Sequence, residues 1–164
     1  MTKFGYQQIT ANRIRENKGF SYVDLVPGLI IEHRPGRTVL DADNIWQSLL
    51  ALNQHPLHIN HDYAKDTEFG KVLVSSLVTF SIINGMTVSS ISQKAIANLG
   101  WDHVKLTAPV YVGDTLYAET EILTKRASKT RPEQGIVTVK TLGFNQENIK
   151  VIEFERTILM PMKA

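Results

Sequence analysis

The longest uncharged stretch of the chain lies between Lys71 and Lys94, and its apolar residues recur at helical spacing from Ser75 and Ser76 onward. Small polar residues and glycine are interspersed among the leucines, valines and isoleucines. A segment that crosses a lipid bilayer is predominantly apolar, so these polar residues argue against a membrane span. The pattern predicts a long buried helix whose small residues let neighbouring elements pack closely.

The chain after this helix has the two-residue periodicity of half-buried strands. The predicted elements are an interrupted strand over residues 96–109, a turn at Gly113 and Asp114, strands over 115–124, 136–144 and 151–160, and a turn at 145–148. No helical pattern lies between the late strands. The chain is therefore predicted to be α+β with an antiparallel sheet, rather than parallel α/β.

Shorter patterns before the buried helix predict one strand and one further helix. Residues 29–34 have the composition of a strand, which Pro35 and Gly36 interrupt. Asp41 is a good N-cap residue for a helix that is expected to end near Leu52. Residues 1–20 are polar and are predicted to form an ordered or frayed N-terminal arm.

Three of the five histidines lie within residues 53–64, shortly before the buried helix. Pro56 disfavours a helical conformation at the residue before it and has no N–H to donate, so residues 53–58 are predicted to form a stiff, non-helical loop. Asn60 is placed to cap a short helical turn after this loop. Such a loop fixes reactive side chains near a helix N-terminus, which favours a developing negative charge.

The bulk composition indicates one domain over residues 1–164, with 43% hydrophobic content and neither repeats nor a linker. A net charge of +2 is too small to indicate nucleic-acid binding. The absence of cysteine excludes disulfides, thiolate metal sites and cysteine nucleophiles, and it fits a cytoplasmic protein. Residues 1–17 lack the apolar core of a signal peptide.

The histidine-rich segment resembles the motif of the MaoC-like dehydratases, the family of the (R)-specific enoyl-CoA hydratases. Pro56, Leu57, His58 and Ala64 occupy the matching positions at the matching spacings. The similarity continues through Ala-Pro-Val-Tyr-Val-Gly-Asp at residues 108–114 and covers roughly residues 28–160. The resemblance implies a hot-dog fold, in which an antiparallel sheet wraps a long central helix. It also implies an acyl-CoA substrate, no further cofactor, and a homodimer or higher homo-oligomer with sites at the subunit interface.

Two positions depart from the family motif. Asn53 stands where the family has its catalytic aspartate, and His55 stands where the family has an asparagine. The first departure is similar to a MaoC subgroup that is associated with branched dicarboxylic acyl-CoA thioesters such as mesaconyl-CoA. If the acyl group carries a carboxylate, an aspartate at position 53 would repel it, whereas Asn53 can donate to it and His55 adds a possible cation.

Hydration of an enoyl thioester needs a base, an acid and a stabiliser of the developing enolate. His58 is the expected base or acid because imidazole titrates near neutral pH. The backbone N–H groups at Ser75 and Ser76 are the candidate oxyanion donors, where the family usually has His-Gly. An amide cannot exchange a proton at neutral pH, so Asn53 is expected to orient the water. Either His55 or a substrate carboxylate then serves as the second proton-handling group, or the chain has lost hydratase competence.

The densest basic cluster is expected to meet the phosphates of coenzyme A, although a solvated loop without a ligand explains it equally well. Its members are Lys125, Arg126, Lys129 and Arg131. The loop lacks the interleaved aromatic residues of a nucleic-acid site.

No metal site is expected at His55, His58 and His61, because Pro56 breaks their spacing and only Asp62 lies close enough to complete a ligand set. His33 and His103 fall in strand-like segments and are expected to be structural.

Two other classes of function remain open at the level of sequence. A hot-dog thioesterase would hydrolyse the thioester, but that chemistry usually calls for an acidic base or nucleophile near the helix, and the helix run has no charge. A non-catalytic acyl-CoA-binding protein is consistent with Asn53. The leading hypothesis is a hydro-lyase that acts on a short enoyl-CoA, with a branched dicarboxylic acyl group as the favoured case.

Overall fold

A five-stranded antiparallel sheet and a central helix organise the computed structural model, which describes residues 5–163. The strands are β1 Gly5–Thr10, β2 Arg13–Asn17, β3 Ile30–Thr38, β4 Ala97–Leu106, β5 Thr115–Ala127, β6 Gln134–Phe144 and β7 Lys150–Pro161. The helices are α1 Asp41–Leu50, α2 Pro56–Ile59, α3 His61–Ala64 and α4 Ser76–Met86. The main sheet has the order β3-β5-β6-β7-β4, and every pairing in it is antiparallel. The predicted α+β class is confirmed.

Helix α4 packs against one face of the sheet, where its buried apolar side chains join the core. Val78 and Ile83 of α4 are fully buried together with Leu116 and Phe154 of the sheet. Gly143 of β6 permits this contact, because a Cβ at that position would lie 2.8 Å from the Ile83 side chain. The absence of charge from α4 is therefore explained by its burial against the sheet.

The central helix and the first long strand differ in detail from the sequence prediction. Helix α4 ends at Met86, and the chain continues as a five-residue π-helical turn, Val88–Ser92. Strand β3 is continuous across the predicted interruption, because the extra residues are absorbed by a register shift between His33 and Arg37. A bulge of this kind lets a strand carry an irregular segment without ending.

The start and end of α1 also differ from the prediction. Leu40, not Asp41, is the N-cap residue, and the Asp43 carboxylate accepts the Leu40 N–H at 2.8 Å. The helix ends at Leu50, and Leu52 beyond it has a left-handed conformation with φ of 58°. This sharp exit directs residue 53 back toward the start of α4.

The predicted non-helical loop over residues 53–58 is wrong in its second half. Pro56 begins the short helix α2, because proline is well suited to the first helical position, where its missing N–H costs nothing. His55 is the N-cap and remains extended, as expected for a residue before proline. The predicted cap at Asn60 is confirmed, since its side chain accepts the Tyr63 N–H at 3.0 Å.

The predicted N-terminal arm is a β-hairpin over the part that the structure describes. Strands β1 and β2 pair with each other, and their side chains are almost all exposed. Residues 1–4 lie outside the described residues. No helix within residues 5–163 is long and apolar enough to cross a membrane.

The two strand histidines have different environments. His33 is buried and lies within hydrogen-bonding distance of the Thr120 and Ser90 hydroxyls, at 2.8 and 3.1 Å. Burial, with Arg156 and Arg34 nearby, lowers the pKa of His33 to about 4. His33 therefore has the structural role expected of it, whereas His103 is exposed at an irregular part of β4.

Candidate active site

His58 is held in one orientation at the end of α2. Its Nδ1 atom lies 2.9 Å from the carbonyl oxygen of Leu73. A carbonyl oxygen only accepts hydrogen bonds, so Nδ1 carries the proton and Nε2 of the neutral ring keeps a lone pair. The strand-like segment that leads into α4 thus fixes the orientation of the half-buried imidazole, with Nε2 as its unprotonated nitrogen.

Asn53 is also tied to that segment. Its Nδ2 atom lies 3.4 Å from the Ser75 hydroxyl, and its Oδ1 atom accepts the His55 N–H at 3.3 Å. The Asn53 N–H donates to the Ser48 carbonyl at 2.8 Å, which fixes the turn that leaves α1. Asn53 and His58 are therefore both anchored on residues 73–75, at the start of the central helix.

The two serines at the helix start differ in the partners of their backbone N–H groups. Ser75 is the N-cap, and its N–H donates to Oδ1 of Asn44 at 2.9 Å. This N–H is hydrogen-bonded within the chain, and its role as an oxyanion donor stays a prediction. Ser76 is the first residue of α4, where a backbone N–H has no carbonyl partner within the helix. The helix dipole adds partial positive charge at this position.

His55 has the opposite proton arrangement to His58. Its Nδ1 atom accepts the Leu57 N–H at 3.2 Å, so the proton of the neutral ring lies on Nε2. The centroids of the His55 and His58 rings are 5.8 Å apart. One ring therefore presents a basic nitrogen and the other an N–H within the same small region.

Asn44 is a residue whose importance the sequence did not reveal. It is fully buried on α1, and its Nδ2 atom donates to the His58 carbonyl at 2.7 Å and to the Leu73 carbonyl at 3.3 Å. Together with the bond from Ser75, these contacts join α1, α2 and the start of α4. The apolar pattern gave no signal for it, because the buried residues of α1 are the polar Asn44 and Ser48, whereas Trp46 and Leu50 are exposed.

A groove of about 310 Å³ opens beside the first turn of α4. Its lining is mostly apolar and includes the Ser76 end of the helix and the segment after β4; the residues are Phe69, Leu73, Val74, Ser76, Thr79 and 106–110. This volume is in the range of small-molecule sites. The groove can accommodate an acyl group next to the free helix terminus.

His61 lies apart from this arrangement. Its Nε2 atom is 3.2 Å from the Asp41 carboxylate, and its side chain is exposed. Across residues 5–163, no three histidine, aspartate or glutamate side chains are grouped so as to hold a metal ion.

The predicted CoA-binding cluster is at the far end of the sheet. Lys125 and Arg126 belong to β5 rather than to the loop, while Lys129 and Arg131 are in the loop that follows. The Lys125 ammonium group binds the Tyr22 carbonyl at 3.0 Å and lies over the Tyr22 ring. At roughly 3.3 Å per residue, the cluster is about 30 Å along β5 from the end that adjoins α4.

A different cation lies close to the groove. Lys71 is exposed, and its Nζ atom is 4.1 Å from the centroid of the Tyr111 ring. Tyr111 pairs with Leu73 in an isolated antiparallel bridge, so this lysine projects near the start of α4.

The chain is similar to known proteins over most of its length. A family model described as MaoC like domain matches residues 25–143. The chain is 29% identical to a mesaconyl-CoA hydratase of Cereibacter sphaeroides and 31% identical to a beta-methylmalyl-CoA dehydratase of Chloroflexus aurantiacus. These matches cover 90% and 89% of this chain, but only 43% and 41% of those proteins.

The structural comparison agrees with the sequence comparison. A crystal structure of a putative MaoC domain protein dehydratase from Chloroflexus aurantiacus superposes with a TM-score of 0.84 at 30% identity, covering 94% of this chain and 43% of that one. The chain belongs to the MaoC-like domain family and has the hot-dog fold that the resemblance implied. It spans less than half the length of the two curated relatives described above.

Proposed function

We propose that the chain carries the active site of a hydro-lyase, which adds or removes water across the double bond of an enoyl-CoA thioester. The observation that carries this proposal is the orientation of His58, whose basic Nε2 is fixed by the Leu73 carbonyl next to the start of α4. The names of the two relatives, a hydratase and a dehydratase of CoA thioesters, support the same class of reaction.

In the hydration direction, Nε2 of His58 takes a proton from water as the water oxygen bonds to the β-carbon. The electron pair of the double bond moves toward the thioester carbonyl, and the resulting negative charge on oxygen is stabilised by the Ser76 N–H and the helix dipole. Protonation of the α-carbon then completes the addition, so that the β-carbon carries the hydroxyl group of the water and the α-carbon carries a hydrogen. Dehydration follows the same steps in reverse.

His55 is the proposed second residue of the proton transfer. Its neutral ring carries a proton on Nε2, as implied by the bond from the Leu57 N–H, and lies close to the ring of His58. A neutral imidazole N–H is too weak an acid to protonate carbon, so the proton that His58 took from water is delivered from its imidazolium to the α-carbon, and the His55 Nε2–H supports this transfer by donating a hydrogen bond. Asn53 orients the water, because an amide both donates and accepts but does not titrate.

The proposed acyl group is short, branched and dicarboxylic. Asn53 in place of an aspartate removes a negative charge that would repel a second carboxylate, and His55 supplies a possible cation. The relatives named for mesaconyl-CoA and beta-methylmalyl-CoA support this choice.

Lys71 is the proposed contact for a phosphate of coenzyme A. It is exposed near the groove, whereas the cluster that contains Lys129 is about 30 Å away along β5. That cluster remains a predicted CoA contact. Because of this distance, it would contact coenzyme A that is bound at the site of a second copy of the chain.

The proposed assembly is a homodimer that pairs through β4. This strand is an edge of the sheet, and its side chains include several large apolar groups that are 42–52% exposed, namely Leu99, Trp101, Val104 and Leu106. Edge strands with exposed apolar side chains tend to pair with another chain. The greater length of the two relatives leaves room in them for a second such unit.

The test is incubation of the purified protein with crotonyl-, mesaconyl-, itaconyl- and a longer straight-chain enoyl-CoA, followed by mass spectrometry. The expected result is a gain of one water with the thioester intact, and a preference for the dicarboxylic members. Release of free CoA would instead identify a thioesterase. Tight binding of the thioesters without turnover would identify an acyl-CoA-binding protein, and either result would overturn the proposal.

A further inference from the structure

Asn44 connects three backbone segments with one buried side chain. Its Nδ2 atom donates to the carbonyls of His58 and Leu73, and its Oδ1 atom accepts the Ser75 N–H. The residue has no exposed surface. All three partners belong to the segments that carry the base and the start of the helix.

The Leu73 carbonyl is shared by Asn44 and His58. A carbonyl oxygen has two lone pairs, and here one is directed to Nδ1 of His58 and the other to Nδ2 of Asn44. Asn44 therefore fixes the direction of the acceptor that determines which nitrogen of His58 holds the proton. It also holds the carbonyl of His58 itself, and so fixes the base from both sides.

The acceptor side of Asn44 determines which helix N–H groups remain free. By taking up the Ser75 N–H, Oδ1 of Asn44 leaves Ser76 as the first donor at the helix terminus. An asparagine is suited to this place because it provides two N–H donors and an acceptor in one rigid plane. A buried amide destabilises the fold unless its donors and acceptor are hydrogen-bonded. Here all of the bonds of the Asn44 amide go to residues of the candidate site.

We propose that Asn44 is a positioning residue of the active site, which sets the His58 tautomer and selects Ser76 as the oxyanion donor. This inference rests on the proposed hydro-lyase function for its kinetic consequence, but the tautomer can be measured without any turnover. Loss of a hydrogen bond that orients a metal-bound histidine typically lowers metal affinity or activity by about 10–100-fold, and we expect a comparable loss for the oriented His58.

The test uses N44A, which removes all three bonds, and N44D, which keeps the size and the acceptor but loses both donors. The tautomer of His58 is read from its ¹⁵N NMR shifts, assigned with H58A. In the wild type we expect the Nδ1–H form. In both variants we expect a mixture of tautomers, and kcat should fall by about tenfold or more while KM changes by less than about twofold.

Ser48 supplies the matched control, because it is buried on the same helix one turn after Asn44 and its hydroxyl has no hydrogen-bond partner within residues 5–163. S48A should leave both the tautomer and kcat unchanged.

An Nε2–H tautomer in the wild type would overturn the proposal, as would an unchanged Nδ1–H form in N44D. An equal fall of kcat in S48A would mean that any disturbance of α1 has the same effect, which also overturns it. If the wild type turns over no substrate, the proposed function fails, and the NMR result still decides the role of Asn44. If N44A does not fold, N44D decides alone, because it preserves the shape of the side chain.

Discussion

The imidazole of His58 and the carbonyl of Leu73 are joined by a 2.9 Å hydrogen bond across fifteen residues of chain. The bond connects the short helix α2 to the segment that enters α4, and it fixes the proton on Nδ1. Because this nitrogen is fully used, only Nε2 of the neutral ring is available for chemistry. The active nitrogen of the proposed base is thus determined by a main-chain carbonyl, which also accepts a hydrogen bond from the side chain of Asn44.

Replacing His58 by alanine is expected to lower kcat by about 10²–10⁴-fold, which is the usual contribution of a general base. Steady-state hydration of the preferred enoyl-CoA measures the change. H61A is the matched control, since His61 lies in the same segment but is exposed and bound to Asp41. Equal losses in both variants would contradict the assignment of the base.

Asn53 is expected to determine the charge of the accepted acyl group. N53D places a carboxylate where the substrate carboxylate is proposed to bind, so kcat/KM for a dicarboxylic enoyl-CoA should fall relative to crotonyl-CoA by about tenfold or more. N60D adds the same charge a few residues away, at a position where aspartate also caps a helix. It should leave the preference unchanged. An unchanged preference in N53D would reject the dicarboxylic hypothesis.

Lys71 and Lys129 distinguish the two places where the phosphates of coenzyme A can bind. K71A is expected to raise KM by about 3–10-fold with little change in kcat, as for the loss of one exposed charge-assisted contact. K129A should leave KM unchanged. The measurement is KM for one CoA substrate at constant ionic strength. A higher KM in K129A but not in K71A would favour the cluster at the end of β5.

The elements with strong periodicity were predictable from the sequence. The start of α4 at Ser75 and Ser76 and the alternation in β5 were found because burial on one face imposes a repeat of 3.6 or two residues. The helix at Pro56 was missed because proline breaks a helix interior but favours a first turn, and sequence alone did not distinguish these positions.

The candidate site was only partly predictable, because its geometry depends on contacts distant in sequence. The motif identified His58 and Asn53, but nothing local showed that the Ser75 N–H is bound by Asn44, which lies 31 residues earlier. The basic cluster was visible as a local run of charge. Its distance from the helix start became clear only from the length of β5.

The proposed dimer interface predicts different effects at the two edges of the sheet. L99R puts a charge on β4, where Leu99 is 52% exposed, and should shift the protein to a monomer in light scattering after size exclusion. I30R puts the same charge on β3, where Ile30 is 57% exposed at the other edge. It should leave the dimer intact. Dissociation by I30R alone would place the interface at β3.

His33 is expected to make the folded protein less stable as the pH falls from 6.5 toward 4. Burial first, and then Arg156 and Arg34, lower its pKa from 6.5 to about 4, so the unfolded chain binds a proton in this range and the folded chain does not. The unfolded state is therefore favoured progressively on acidification, by about 2 kcal/mol at pH 5. H33Q keeps a polar side chain beside Thr120 and Ser90 but cannot titrate. The free energy of unfolding is measured in urea at pH 5 and at pH 8, at one protein concentration. Its decrease from pH 8 to pH 5 should be smaller in H33Q than in the wild type by about 2 kcal/mol. Equal falls in the two proteins would show that His33 has an ordinary pKa in the folded state.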